Sequence, residues 1–150
     1  MPLPIRRVLT AFSAMLALFA WSTASAAPNQ GDAAGYRVII QVTAGSAEQW
    51  NGLLGNIENL RSALEDELRD VEVVAHGPGI GLVLRTNAAQ ADRMKLLSTQ
   101  GVRFVACENT LSHRKLSKAD LLPFVGTVDA GVAQVVRRQK QGWQYIRVGQ

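Results

Sequence analysis

The sequence predicts an α/β fold: a three-layer arrangement in which a mostly parallel sheet of about five strands has helices on both faces, as in flavodoxin-like proteins. Three observations support this prediction. Short apolar runs alternate with amphipathic segments along the chain. Each run is almost continuously apolar, which is typical of strands buried on both faces of a parallel sheet. Glycine, proline or a helix-capping residue separates most of these segments.

The first half of the chain predicts a strand, a long helix and a second strand. Residues 36–42 are mostly β-branched and form the first strand. Ser46, with Gln49 three residues later, is typical of a helix start, and apolar residues then recur at helical spacing. The second strand is predicted at 71–75. The apolar helix positions are Trp50, Leu53, Leu54, Ile57, Leu60, Leu64 and Leu68.

The second half repeats this alternation. A turn rich in glycine and proline at 77–81 precedes a helix, which Gly101 ends before a third strand at 102–106. A fourth strand is predicted at 124–128, and Asp129 is predicted to cap the next helix. That helix is predicted to end at Gln141, with Gly142 as its stop, before a fifth strand at 143–148. A short helix before the fourth strand is predicted to be capped by Ser117 and Asp120 and ended by Pro123.

The first 26 residues have the parts of a secretory signal peptide. Arg6 and Arg7 form its charged start, residues 8–21 are largely apolar, and residues 24–26 read Ala-Ser-Ala, which fits a cleavage site. The apolar stretch is shorter than the about 20 residues that a membrane-spanning helix needs. We therefore expect a periplasmic or secreted protein, exported by the general secretory route in preference to the twin-arginine route. A retained membrane anchor is the alternative.

The predicted organisation is a signal peptide at 1–26, a flexible lead-in at 27–35 and one α/β domain at 36–150. Once the signal is removed, fourteen basic residues oppose twelve acidic ones, so the net charge falls from +4 to +2. No aromatic residues alternate with the basic clusters, as a platform for single-stranded nucleic acid requires. We therefore expect no nucleic-acid partner and, after cleavage, no membrane association.

The candidate site lies where the predicted strands end. Cys107 is the only cysteine in the chain and follows the third strand, while His76 follows the second. Because ligands of open parallel sheets bind at the carboxyl ends of the strands, we expect these residues to lie near one another. An unpaired thiol is unusual in an oxidising compartment and calls for a functional explanation.

Four motifs in the expected order and spacing carry a family resemblance. They are Val73–Ile80, Val105–Thr110, Leu116–Leu122, and Ala130-Gly131-Val132 followed by Arg138-Gln139 and Gly142-Trp143. Over residues 36–147 the chain resembles the DsrE/DsrF-like family, small α/β proteins associated with sulfur relay. The resemblance implies that Cys107 carries sulfur as a persulfide, that the chain forms trimers or hexamers, and that a sulfur donor or acceptor protein is its partner. Unlike the sulfur-relay members, this chain has a predicted export signal and no second cysteine.

The reactivity of Cys107 depends on its neighbours, because the thiolate is the reactive form of a thiol. If Asn109 or Thr110 caps the turn after the strand, backbone N–H groups would point towards the sulfur. His76 is predicted to act as a proton partner or a cationic neighbour. A carboxylate at Glu108 would act in the opposite direction and raise the pKa of the thiol.

Gly77 and Gly79 complete the candidate ligand-binding set with residues 108–110. Their spacing matches neither the dinucleotide fingerprint nor the P-loop, so a tight turn is favoured over an anion-binding loop. The glycine loop of a dinucleotide-dependent enzyme is also missing after the first strand. No cofactor is expected.

Two functions are left open, and the sequence does not decide whether the protein is an enzyme. In the first, a periplasmic sulfur carrier takes up a sulfane sulfur on Cys107. In the second, a non-catalytic oligomeric module binds a small ligand, and the cysteine is buried and structural. His76, Cys107 and His113 lack the short-range spacing of metal ligands, so no metal is expected.

Overall fold

The computed structural model describes residues 35–149 of the chain. The predicted signal peptide at 1–26 lies outside the described residues, as does the predicted lead-in except for Gly35. Within 35–149, none of the helices combines the length and apolar character that a membrane crossing requires.

A five-stranded sheet with strand order β4-β3-β2-β1-β5 forms the centre of the fold. Every pair of neighbouring strands is parallel. The predicted α/β class is therefore confirmed. The strands are β1 (Tyr36–Val42), β2 (Leu68–Ala75), β3 (Val102–Cys107), β4 (Gly126–Val128) and β5 (Gln144–Val148). The helices are α1 (Ala47–Leu64), α2 (Ala88–Thr99), α3 (Glu108–His113) and α4 (Gly131–Lys140), with 3₁₀ helices at Glu65–Glu67, Gly77–Val83 and Lys118–Asp120.

The two faces of the sheet are covered unequally. Successive side chains along a strand point to opposite faces. One face packs against α1 and α2 and contributes most of the buried apolar residues. The other face packs against α4 in a much smaller apolar cluster, formed by Ile39, Val74, Val135 and Trp143. Helices cover both faces, as predicted, but the α4 face depends more on polar contacts.

The first strand has the predicted bounds, and Ser46 is the N-cap of α1, where its hydroxyl accepts the Gln49 N–H at 3.3 Å. The predicted extension of this helix to Leu68 is wrong. The helix ends at Leu64, and Leu68 is the first residue of β2, paired with Tyr36 of β1. A leucine four residues after another continues a helical pattern, but the intervening 3₁₀ turn reverses the chain.

The predicted cap of α4 is also wrong. Ala130 occupies the N-cap position, and the carboxylate of Asp129 instead forms a bidentate ion pair with Arg137 at 2.6 and 2.7 Å. The positive φ angles of Gly101 (95°) and Gly142 (83°) confirm both as the points where helices end.

Several predicted bounds differ by a few residues. The fourth strand is shorter than predicted because Phe124 lies outside it and packs edge-on against Phe104, with ring centroids 6.2 Å apart. The third strand extends one residue further, so that it ends at Cys107. The second strand begins at Leu68, the fifth at Gln144, and α4 ends at Lys140 with Gln141 as its C-cap.

Candidate functional site

The carboxyl ends of the parallel strands bring the candidate residues together. Cys107 is both the last residue of β3 and the N-cap of α3, and His76 directly follows β2. Gly131, the first residue of α4, lies beside both of them. Gly131 was not among the site residues predicted from the sequence, although it lies in one of the four motifs.

The Cys107 side chain is buried against the start of α4. The residue is 5 % exposed in the described chain. The Gly131 N–H donates to Cys107 Sγ with a nitrogen-to-sulfur distance of 3.2 Å. The first N–H groups of a helix have no partner within the helix and carry partial positive charge. The sulfur therefore occupies a position where a negative charge is stabilised.

Several groups shift the pKa of the Cys107 thiol, and they act in opposite directions. Burial raises it, but the Thr110 hydroxyl and the backbone N–H groups of Gly131, Thr110 and Asn109 outweigh burial, so the pKa is lowered. The backbone contribution of Asn109 is the smallest of these, and its N–H also donates to the carbonyl of Asp129 at 3.3 Å. The N-cap of α3 is Cys107 itself and neither Asn109 nor Thr110, but the backbone N–H groups of both residues act on the sulfur, as expected if either had capped the turn.

Thr110 connects two parts of the site. Its hydroxyl oxygen accepts the backbone N–H of Gly77 at 3.1 Å. The hydroxyl hydrogen is then available to donate to Cys107, which agrees with the lowered pKa of that thiol. Gly77 has a φ of +53°, which a glycine adopts without strain. Gly77 thus contributes its backbone to the site through Thr110.

His76 is half-buried and packs directly on Gly131. A Cβ atom at position 131 would lie 3.1 Å from Cβ and Cδ2 of His76, so only glycine fits there without displacing the ring. Within residues 35–149, no hydrogen bond joins His76 to Cys107. Burial, followed by the charge of Arg147, lowers the pKa of His76. The ring is therefore neutral near pH 7 and does not provide the cationic neighbour that was one of its two predicted roles.

Gln41 and Tyr145, which were not predicted as site residues, contact His76 directly and indirectly. Nε2 of Gln41, on β1, lies 2.7 Å from Nε2 of His76. The Tyr145 hydroxyl, on β5, donates to Oε1 of the same glutamine. A polar glutamine near the carboxyl end of an otherwise apolar strand is a signal that could have drawn attention to Gln41, although not to its partners.

The remaining candidates, Glu108 and Gly79, have their contacts elsewhere. The Glu108 carboxylate accepts from the Thr127 hydroxyl at 2.6 Å and pairs with Lys118 at 2.9 Å, and these two contacts lower its pKa. It is not among the groups that shift the pKa of Cys107. Gly79 is buried, and a Cβ there would lie 2.2 Å from the Val42 carbonyl oxygen. The Gly79 position is therefore set by close packing on β1.

The described part of the chain contains no cluster of three or more His, Cys, Asp or Glu side chains that could hold a metal ion. A cavity of about 410 Å³ lies between α2 and the segment before β4. None of the predicted site residues lines it. Its walls are formed by Ala91, Asp92, Lys95, Ser98, Thr99, Leu122, Pro123 and Phe124.

Comparison with known proteins agrees with this architecture. Residues 23–148 match the model of the DsrE/DsrF-like family. The chain belongs to the DsrE/DsrF-like family. This family is associated with sulfur relay. The assignment covers the whole described sheet and both Cys107 and His76.

A solved structure shares the fold of this DsrE/DsrF-like chain. The protein of unknown function MTH1491 from Methanobacterium thermoautotrophicum is 38% identical and superposes with a TM-score of 0.70. The match covers 75% of this chain and 98% of MTH1491. No curated protein matches the chain at a significant level. The likeness therefore supports the fold and the family.

Proposed function

We propose that this DsrE/DsrF-like protein is a single-cysteine sulfur carrier in which Cys107 holds a sulfane sulfur as a persulfide. The observation that carries the proposal is the 3.2 Å hydrogen bond from the Gly131 N–H to Cys107 Sγ. Together with the Thr110 hydroxyl, this donor helps to lower the pKa of a thiol whose burial alone would raise it. A thiol with a lowered pKa is ionised to a greater extent near neutral pH and attacks sulfur as a thiolate.

The proposed transfer needs one cysteine and no added oxidant. The Cys107 thiolate attacks the terminal sulfur of a donor persulfide, R–S–SH. A new S–S bond forms, the S–S bond of the donor breaks, and the donor leaves as the thiolate R–S⁻. An acceptor thiolate then attacks the terminal sulfur on Cys107, and Cys107 leaves as a thiolate. Each step is redox-neutral, and a lowered pKa favours Cys107 as leaving group.

The burial of Cys107 limits which donors can react. Cys107 is only 5 % exposed, so its sulfur can be reached only by a donor whose terminal sulfur lies at the end of a narrow group, unless the start of α4 moves. The same burial protects a loaded persulfide from other thiols and from oxidants, whose access governs oxidation of cysteine sulfur. Low exposure therefore suits a carrier that must keep its cargo until a specific partner docks.

The burial of Cys107 also favours a second candidate function. A small-ligand-binding module that uses Cys107 only for packing would have a buried, hydrogen-bonded thiol of this kind. The cavity of about 410 Å³ beside α2 has the size of a small-molecule site. In this second function the cysteine is dispensable for ligand binding.

We also propose that the protein acts outside the cytoplasm, in the periplasm or secreted, as a homo-oligomer. The features of residues 1–26 support export. Exposed apolar side chains support assembly, because such patches often mark protein interfaces. They include Val132 and Val136 on α4 and Tyr145 and Ile146 on β5. The resemblance to the DsrE/DsrF-like family implies that the assembly is a trimer or a hexamer and that its partner is a sulfur donor or acceptor protein.

Intact-protein mass spectrometry after incubation with polysulfide tests the carrier function. The native protein should gain the mass of one or more sulfur atoms, and a reducing agent should remove them. Cys107→Ser is the control, since it removes the only cysteine and should abolish the gain. A native thiol that stays unmodified, while the urea-unfolded protein reacts, would contradict the carrier function and support the second candidate.

A further inference from the structure

A chain of hydrogen bonds connects the outer strand β5 to His76 at the carboxyl edge. The Tyr145 hydroxyl donates to Oε1 of Gln41, and Nε2 of Gln41 lies 2.7 Å from Nε2 of His76. The three residues lie on or directly after the neighbouring strands β5, β1 and β2. The network thus crosses the sheet at the level of the candidate site.

The direction of these bonds determines where the His76 proton lies. Tyr145 donates to the oxygen of the Gln41 amide, so the amide nitrogen faces His76. An amide NH₂ group only donates, and His76 Nε2 must therefore accept. The imidazole is then neutral and carries its proton on Nδ1.

The His76 ring in turn contacts the residue that holds the thiol. A Cβ at Gly131 would lie 3.1 to 3.2 Å from Cβ, Cδ2 and Cγ of His76, so the ring lies directly against the start of α4. The N–H of the same Gly131 donates to Cys107 Sγ. A shift of the ring would therefore change the geometry of this hydrogen bond.

We propose that Gln41 and Tyr145 are positioning residues for Cys107, because they hold His76 as the neutral Nδ1–H tautomer against Gly131 and so keep the Gly131 N–H aimed at the sulfur. The role in sulfur transfer rests on the proposed function, whereas the arrangement of His76 does not. The charge of Arg147, on β5, also acts on His76 and disfavours the protonated ring.

NMR of the imidazole nitrogens tests the first half of this proposal. The chain has two histidines, so His113→Asn, at the exposed end of α3, assigns the His76 signals. The wild-type protein should show the proton on Nδ1. Tyr145→Phe frees the Gln41 amide to turn over and Gln41→Leu removes the donor. Both should produce mixed tautomers and raise the His76 pKa by about half a unit.

Tyr36→Phe is the matched control, because Tyr36 and Tyr145 are both 41 % exposed but Tyr36 begins β1 at the opposite edge of the sheet. This variant should keep the wild-type tautomer. A wild-type His76 with its proton on Nε2 would overturn the proposal. So would an unchanged Nδ1–H tautomer in both Tyr145→Phe and Gln41→Leu.

The second half of the proposal is tested by the ionisation of Cys107 itself. The ¹³Cβ chemical shift of the single cysteine, followed against pH, reports the thiol pKa whether or not the sulfur reacts. In Tyr145→Phe and Gln41→Leu the midpoint should rise by about half a unit, because the Gly131 donor is less well placed. A midpoint equal to that of wild type and Tyr36→Phe would overturn the positioning role. Failure to load sulfur would overturn only the proposed function.

Discussion

Glu72 and Cys107 lie on the same face of the sheet, and α4 covers both, but their surroundings differ in kind. Glu72 is 2 % exposed and contacts full charges: Arg138 at 2.5 Å and Arg103 at 3.3 Å. The Gln134 amide adds a third contact at 2.6 Å. Burial raises the pKa of Glu72, but these partners outweigh it and the pKa is lowered. The carboxylate is thus held in its charged state.

Cys107 is almost as deeply buried, but its contacts are dipoles: the N–H groups at the starts of α3 and α4 and the Thr110 hydroxyl. Removing one partner of a buried ion pair leaves an uncompensated charge, so such a pair tolerates little change. Dipoles also stabilise a thiolate, but less free energy is lost when the sulfur beside them becomes neutral or forms a covalent bond to a second sulfur. The difference indicates that the Glu72 cluster fixes α4 on the sheet, while the Cys107 site can accommodate more than one chemical state.

The largest effect is expected from removing the charge of Glu72. Glu72→Gln removes the buried carboxylate that accepts from Arg138, Arg103 and Gln134, and it should lower the free energy of unfolding by about 3 kcal/mol because hydrogen bonds to a charged group contribute about 1.5 to 3 kcal/mol each. Urea unfolding followed by circular dichroism measures the change. Arg138 also stacks on Trp143, with its guanidinium carbon 4.4 Å from the ring centroid, so the tryptophan fluorescence should change as well.

Glu58→Gln is the matched control for this prediction. Glu58 pairs with Arg93 at 2.6 Å, a shorter contact than the Arg103–Glu72 pair, but on the surface. Its loss should lower the free energy of unfolding by less than about 1 kcal/mol. Equal losses in the two variants would contradict the view that burial distinguishes the Glu72 cluster.

A smaller effect on stability but a clear effect on the thiol is expected from Gly131→Ala. The new Cβ would lie 3.1 Å from His76, so the start of α4 and the ring must separate. The free energy of unfolding should fall by about 1 to 2 kcal/mol. The Cys107 pKa should rise because the Gly131 N–H moves from the sulfur. Cysteine NMR titration and urea unfolding measure the two changes.

Gly52→Ala is the control for that variant, because nothing lies within 4 Å of a Cβ at position 52 of α1. In a helix interior this change should stabilise the protein by about 1 kcal/mol and leave the thiol unchanged. If the Cys107 pKa were the same in Gly131→Ala as in Gly52→Ala, the conclusion that the Gly131 N–H lowers this pKa would be wrong.

Thr110→Val should affect the thiol more than the fold. The variant keeps the shape of the side chain but removes the hydroxyl that lowers the Cys107 pKa and accepts the Gly77 N–H. The pKa should rise by about half a unit or more, which slows alkylation at pH 7 by about threefold or more. Thr99→Val, at the end of α2, is the control and should leave the alkylation rate unchanged. A rate equal to that of wild type would show that the hydroxyl does not bond to the sulfur.

Much of the fold was predictable because the sequence repeats a local pattern. The bounds of β1 agree with the prediction, and Gly101 and Gly142 end helices as predicted, since these features depend on a few adjacent residues. The errors at Leu68 and Asp129 have another origin. A leucine fits both a helix and a strand, and an aspartate before a helix can either cap it or pair with an arginine eight residues on.

The site was predictable only in part. Cys107 and His76 could be assigned to one edge because the carboxyl ends of parallel strands meet there. Gly131 could not be found in this way, because its contact with a cysteine 24 residues earlier depends on how α4 docks on the sheet. The partnership of Gln41 with Tyr145 depends on the position of β5 beside β1, which no local pattern predicts.

The smallest expected effect is on the pH dependence of stability, and it tests His76. The native pKa of His76 lies below its unfolded value, so the unfolded state binds the proton more readily. This contribution to stability is present above about pH 6.5 and is lost as the pH falls towards the native pKa. Because the ring is half-exposed, solvent screening keeps the loss below about 1 kcal/mol.

Urea unfolding of wild type and His76→Asn at pH 8 and pH 5 should show a smaller decrease in the variant. His113→Asn removes the other histidine, so the difference between the two variants isolates His76. An equal decrease in wild type and His76→Asn would mean that protonation of His76 does not destabilise the native state, and that the dipoles at the carboxyl edge of the sheet tolerate a cation as well as an anion.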